Sequence, residues 1–190
     1  MVHSECFGKA GLTLQKNKNT CGIASIRNSF CISFNYALSE SELWEPAQKI
    51  YDDAGIKRKV LHDGIGPWAM VKLIKDTGRE KLKKEFKVFM TPNGKIKQLE
   101  HLLREGIAPI IHRSFWEGDC GGHYETVTGI DNNHIYLFNS ANDAETSGIY
   151  KKTLEDFDKK WWLFENEKWF LAYYPSNVIL PREKFRGKYG

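Results

Sequence analysis

The chain lacks the features that mark membrane proteins, secreted proteins and small zinc domains. Its 190 residues contain no run of the about 18 apolar residues that a transmembrane helix needs. The amino-terminal segment has no apolar stretch of the kind found in signal peptides. Cysteine is scarce, and its four residues show no CxxC spacing, so we expect neither a metal nor another cofactor. We therefore expect a cytoplasmic protein with reduced thiols.

The chain also lacks a strong excess of charge of either sign. It has 28 Lys and Arg residues against 24 Asp and Glu residues, a formal net charge of +4, and the basic residues are scattered. This balance does not indicate nucleic-acid binding. The composition, with 41% hydrophobic and 27% charged residues, is that of a globular protein, and 13% aromatic residues is high. The length suits a single domain spanning residues 1–190, and the composition does not indicate an oligomeric state.

Helices are predicted mainly in the first half of the chain and strands mainly in the second. Apolar residues at helical spacing, capping patterns and glycine stops predict helices at 21–36, 39–54, 67–78 and 95–106. Runs of β-branched and aromatic residues predict strands at 86–90, 107–116, 123–130, 134–140, 148–153 and 168–174, and a short helix at 153–159. Residues 131–133 form a turn that makes a hairpin of the strands on either side. We therefore expect an α+β fold with a carboxy-terminal antiparallel sheet.

Cys21 is the first candidate for chemistry, because it stands where a helix is predicted to begin. A thiol is nucleophilic as the thiolate, and the amide groups of a helix start favour negative charge there. Gly22 would let a substrate backbone come close, and the Cys21 amide would face an oxyanion. Gln15, six residues before Cys21, could supply a second oxyanion donor. Without further evidence, the Cys21-Gly22 pair is more typical of a small buried cysteine at a helix start than of a nucleophile.

His123 is the second candidate, because it begins a strand directly after two glycines. Gly121 and Gly122 would open space for a substrate at the imidazole. A base also needs a group that holds its orientation. If the 131–133 turn makes a hairpin, Asn139 becomes a cross-strand neighbour of His123 and can fill this role. Cys120 lies three residues before His123, but one such pair is at most half of a metal site, so no metal is predicted.

Taken together, these motifs resemble the papain-like cysteine peptidases. The order Gln15, Cys21-Gly22, Gly122-His123-Tyr124 and Asn139 is most similar to the bacteriocin-processing, double-glycine-type peptidases and their stand-alone relatives. The resemblance covers roughly residues 12–174 and leaves 44–90 as a helical insert and 175–190 as a peripheral tail. Many relatives have Asp-Pro where this chain has Asn139-Ser140.

The resemblance implies a papain-like fold and a thiol hydrolase that cleaves peptide amide bonds. It implies Cys21 as nucleophile, His123 as general base, Asn139 as the group that orients His123, and Gln15 as oxyanion donor. The expected partner is a peptide or protein substrate. Two alternatives stay open: an acyl transferase or deamidase with the same residues, as in transglutaminases, and a catalytically silent binding module on the same fold.

Overall fold

The core of the structure, a computed structural model, is one antiparallel sheet with helices on both faces. The structure describes residues 2–3, 12–114, 122–141, 147–161, 167–181 and 185. The strands are β1 (Val2–His3), β2 (Phe86–Thr91), β3 (Ile110–Ser114), β4 (Gly122–Ile130), β5 (His134–Asn139), β6 (Gly148–Thr153) and β7 (Trp169–Pro175). Their order across the sheet is β2-β7-β3-β4-β5-β6, and β1 pairs with the far end of β4. The predicted α+β fold is confirmed.

Six helices within the described ranges cover the two faces of this sheet. They are α1 (Cys21–Phe34), α2 (Ser41–Asp53), α3 (Val60–Asp63), α4 (Pro67–Lys81), α5 (Ile96–Arg104) and α6 (Leu154–Lys160). Helices α1, α2 and α4 share one hydrophobic cluster with a face of the sheet, whereas α5 and α6 share a second cluster with the other face. None of these helices is long and apolar enough to cross a membrane.

Helix α1 is buried on almost every side, which fixes the position of its first residue. Eleven of its fourteen residues are buried, from Gly22 to Ile32, because the sheet lies on one side and α2 and α4 lie on the other. The chain enters this helix after the exposed loop at 16–19. The amino terminus of a rigid, buried helix is therefore presented at the edge of the core.

Most predicted elements are confirmed, but the third helix does not stop at Gly78 as its sequence suggested. Helix α4 continues to Lys81, and Gly78 is buried within it. A Cβ atom at Gly78 would lie 2.0 Å from the Phe86 ring, so this glycine allows close packing of the helix on β2. The region 44–90 is also not entirely helical, because it ends in β2, which pairs with β7 at the edge of the sheet. The one-turn helix α3 was not predicted.

Candidate active site

Cys21 is the first residue of α1, as predicted, and the helix start is not capped by a side chain. Thr20 occupies the N-cap position, but its hydroxyl contacts the buried carboxylate of Glu40 instead of the first-turn amides. The thiol of Cys21 accepts hydrogen bonds from the backbone amides of Gly22 and Tyr124. The uncapped amides of α1 therefore remain available to an anion at this position.

His123 and Asn139 are in contact, as predicted, but the hairpin alone does not produce this contact. Nε2 of His123 lies 2.8 Å from Oδ1 of Asn139, and both side chains are buried. The same Oδ1 accepts a hydrogen bond from the amide of Ala141 at 2.9 Å, which fixes the orientation of the carboxamide. Because Nε2 faces Asn139, Nδ1 is the ring nitrogen left for the thiol of Cys21, with which His123 forms a hydrogen bond.

A β-bulge in β4 decides that Asn139 reaches His123. Ile130 pairs with Ile135 near the turn, but beyond the irregularity between Val127 and Gly129 the register changes, and Thr126 pairs with Phe138. Without this shift Asn139 would lie opposite Thr126, on the other face of the sheet from His123. One extra residue in β4 therefore brings His123 to the face of the sheet that carries Asn139.

Cys21 and His123 shift each other's proton affinities in opposite directions. Burial raises the pKa of the Cys21 thiol, but the hydrogen bond and charge of His123 outweigh it, so this pKa lies below its ordinary value. Burial lowers the pKa of His123, and its contacts with Cys21, Glu125 and Asn139 raise it by more. Such a pair favours a thiolate beside an imidazolium, which is the reactive form of a cysteine nucleophile.

Gln15 is buried next to the end of β5, on the segment that leads to Cys21. Its backbone amide donates to the carbonyl of Ser140 at 2.8 Å, and the hydroxyl of Ser140 donates to Oε1 of Gln15 at 3.0 Å. The side-chain nitrogen of Gln15 donates to the carbonyls of Asn17 at 3.0 Å and Lys18 at 2.6 Å. Gln15 thus joins the loop before Cys21 to the residue after Asn139, and its oxyanion role stays a prediction.

The spaces beside Gly22 and Gly122 are occupied by protein side chains. A Cβ atom on Gly22 would lie 2.6 Å from Ile65, and one on Gly122 would lie 1.9 Å from Nε2 of His112. These glycines allow close packing around the site, and the open space that the sequence suggested at them is filled. Gly121 and Cys120 lie outside the described residues.

Two charged or titratable groups beside His123 were not singled out from the sequence. Glu125, two residues along β4, is fully buried and forms an ion pair with Arg113 of β3, with Oε2 2.7 Å from Nε. His112 of β3 lies against the site and has a pKa lowered to about 4 by burial and by His123. Glu125 could have been found from the sequence, because it is a charged residue within a strand whose other residues are typical of buried positions.

The fold is that of papain-like peptidase domains. The peptidase domain of Streptococcus ComA, a bifunctional ABC transporter of a quorum-sensing pathway, superimposes with a TM-score of 0.57 at 16% identity, covering 86% of this chain and 95% of that domain. A protein of Bacillus anthracis described as a C39-like peptidase gives 0.56 at 14% identity, covering 90% of this chain and 96% of its own.

A double-glycine-motif protease from an AMS/PCAT transporter, solved with its leader peptide, also has this fold. It gives a TM-score of 0.50 at 20% identity, covering 88% of this chain and 93% of its own. No family model and no curated protein matches the sequence. The resemblance to the double-glycine peptidases that was read from the sequence is thus confirmed in the fold.

Proposed function

We propose that the protein is a cysteine peptidase that cleaves peptide amide bonds with Cys21 as nucleophile. The observation that carries this proposal is the chain of contacts from Cys21 through His123 to Asn139, with opposite pKa shifts in the first two residues. The fold shared with peptidase domains supports the same reaction. The neighbour solved with a leader peptide supports a peptide as the substrate class.

In the proposed reaction the thiolate of Cys21 attacks the carbonyl carbon of the substrate. His123, as imidazolium, then donates its proton to the leaving amine, and the acyl group stays on the sulfur as a thioester. Water, deprotonated by the neutral His123, attacks the thioester and releases the acid and the thiol. Asn139 keeps the ring oriented in both steps through its contact with Nε2.

The oxyanion of this reaction would be held by the Cys21 amide and by Gln15. The amide belongs to the uncapped first turn of α1, where the helix dipole adds to its effect. The side-chain nitrogen of Gln15 is bonded to the loop carbonyls of Asn17 and Lys18. One of its N–H groups would have to turn from this loop towards the substrate. The chemistry also requires a reduced thiol, and Cys21 forms no disulfide with another described cysteine.

The proposal is tested by incubating a peptide library with the wild-type protein and with Cys21→Ala, followed by mass spectrometry of new peptide ends. We expect new ends with wild type and none with the variant, with both proteins equally folded by circular dichroism. Adding a primary amine separates hydrolysis from acyl transfer, because transfer would give amine adducts in place of free acids. Equal cleavage by the alanine variant would exclude Cys21 as the nucleophile.

A further inference from the structure

A buried ion pair lies beside the candidate active site and has no role in the reaction described so far. Arg113 Nη2 and Nε lie 2.9 Å and 2.7 Å from the two carboxylate oxygens of Glu125. The hydroxyl of Tyr150 lies 2.9 Å from each of these oxygens and 2.9 Å from Arg113 Nη2. Glu125 is completely buried, and the Arg113 side chain is 13% exposed. Every oxygen of the carboxylate is thus satisfied within the fold.

This ion pair is difficult to explain by stability alone. Replacing a buried ion pair with apolar residues of similar size is often neutral or stabilising, because both charges must be taken out of water. The same face of the sheet continues into apolar side chains, with Val127 next on β4 and Leu137 beside it on β5. An apolar pair would therefore fit the end of this cluster.

The position of Glu125 connects it to His123 and Asn139. Glu125 follows His123 by two residues on β4, so their side chains project from the same face. Arg113 pairs directly with His123 across β3 and β4. The register beyond the bulge puts Asn139 opposite Glu125, and Tyr150 reaches the carboxylate from β6, on the far side of β5. The ion pair therefore spans the strands that carry the histidine and the asparagine.

From this placement, and resting on the proposed function, we propose that Glu125 is a positioning residue for His123. Its carboxylate stabilises the imidazolium while Arg113 and Tyr150 hold it in place. Few of the groups that face His123 carry a negative charge that could stabilise its imidazolium. On β3, His112 is neutral above its pKa of about 4 and Arg113 is a cation, and on β4 burial raises the pKa of Tyr124, which keeps it neutral. The negative charges that act on the ring are the Cys21 thiolate and Glu125.

The test is the pKa of His123, measured by NMR of histidine-labelled protein, in wild type, Glu125→Gln and Tyr150→Phe. Glutamine keeps the shape of the side chain and removes its charge, so the pKa of His123 should fall by about one unit. Tyr150→Phe removes a hydrogen bond and leaves the charge, so this pKa should stay within a few tenths of wild type. Glu125→Asp, which keeps a carboxylate, should restore most of the wild-type value. His123→Ala identifies the resonance.

Three results would overturn the inference. One is a folded Glu125→Gln protein with the wild-type His123 pKa, and another is a Tyr150→Phe protein that shifts as far as Glu125→Gln. If Glu125→Gln does not fold, the His123 pKa is compared between Arg113→Gln/Glu125→Gln and Arg113→Gln, two proteins that differ only at position 125, and equal pKa values in the two are the third.

The proposed peptidase function is tested by a separate experiment. Blocking the thiol with methyl methanethiosulfonate should lower the His123 pKa in wild type, and the absence of this change would argue against the Cys21–His123 pair. The comparison of Glu125→Gln with wild type remains valid in that case, because the carboxylate acts on the ring whether or not the thiol is paired.

Discussion

Two histidines on neighbouring strands show how partners, rather than burial, decide proton affinity. His112 on β3 stacks on the Tyr124 ring at 4.1 Å between centroids and meets Trp169 edge-on, and its pKa falls to about 4. His123 on β4 is 7% exposed, but its pKa is raised. Burial disfavours the cation in both rings, and only His123 has a thiolate, a carboxylate and an amide oxygen to offset it.

His112 and His123 therefore have different roles in the structure. His112 is neutral near neutral pH and fills the space that Gly122 leaves, so it acts as an aromatic packing residue. His123 lies beside Cys21 with a raised pKa, and in the proposed reaction it is the ring that exchanges a proton with the substrate. Four measurements test this difference between the two histidines and the role of the residues around them.

The largest expected effect is on peptidase activity. His123→Ala should lower kcat/KM by roughly 10³-fold, within the range that general acid–base groups contribute. His112→Phe, which keeps an aromatic ring against Tyr124, should retain most of the activity. Both are measured on a peptide cleaved by wild type, with thermal unfolding as the control for folding. Comparable losses in the two variants would remove the distinction between the rings.

The second effect is on the reactivity of the thiol at pH 6. An ordinary thiol with a pKa of about 8.5 is under about 1% thiolate at that pH. His123→Ala should therefore slow the alkylation of Cys21 by iodoacetamide roughly 10- to 100-fold, whereas His112→Phe should leave it unchanged. Mass spectrometry of the Cys21 peptide gives the rate, and the other cysteine peptides of the same digest give the reference. If Cys21 of the wild-type protein is alkylated as slowly as an ordinary thiol, the result would favour the interpretation of the protein as a catalytically silent binding module.

The third effect is on stability in acid. The pKa of His112 is near 6.5 when unfolded and about 4 when folded, so the unfolded chain binds more protons between these values. The free energy of unfolding therefore falls as pH drops through this window, by about 2–3 kcal/mol from this group. His112→Phe should lose less stability than wild type between pH 6.5 and pH 4, in urea unfolding. Parallel curves for the two proteins would contradict the lowered pKa.

The smallest expected effect comes from the group that orients His123. Asn139→Ala should lower kcat/KM by about tenfold, the loss expected for one hydrogen bond to a charged group. Asn139→Asp keeps an oxygen at Oδ1 and should retain more activity than alanine. Because Oδ1 also accepts from the Ala141 amide, the thermal stability of each variant is measured beside its activity. An alanine variant with full activity would show that the sheet alone orients His123.

Local patterns were sufficient for much of the fold. The three-residue spacing of Ser39 and Glu42 is typical of a capping box. Both of its contacts are present, with the Glu42 carboxylate 2.8 Å from the Ser39 amide and the Ser39 hydroxyl 3.2 Å from the Glu42 amide. Gly106 ends α5 with a φ of 74°. Gly78 was mistaken for a helix stop, because a glycine needed for close packing and a glycine that ends a helix are identical in sequence.

The amino-acid sequence was enough to predict the α+β order and the positions of three candidate residues: Cys21 at a helix start, His123 at a strand start and Asn139 at a strand end. These follow from local periodicity and capping, which depend on neighbouring residues.

Tertiary contacts were needed to bring His123 to the face of Asn139 through the β4 bulge, to bind Gln15 to Ser140, and to bury Glu125 with Arg113 and Tyr150. Strand register and the burial of a charge depend on contacts between distant residues, and a one-residue shift reverses the face of every side chain beyond it.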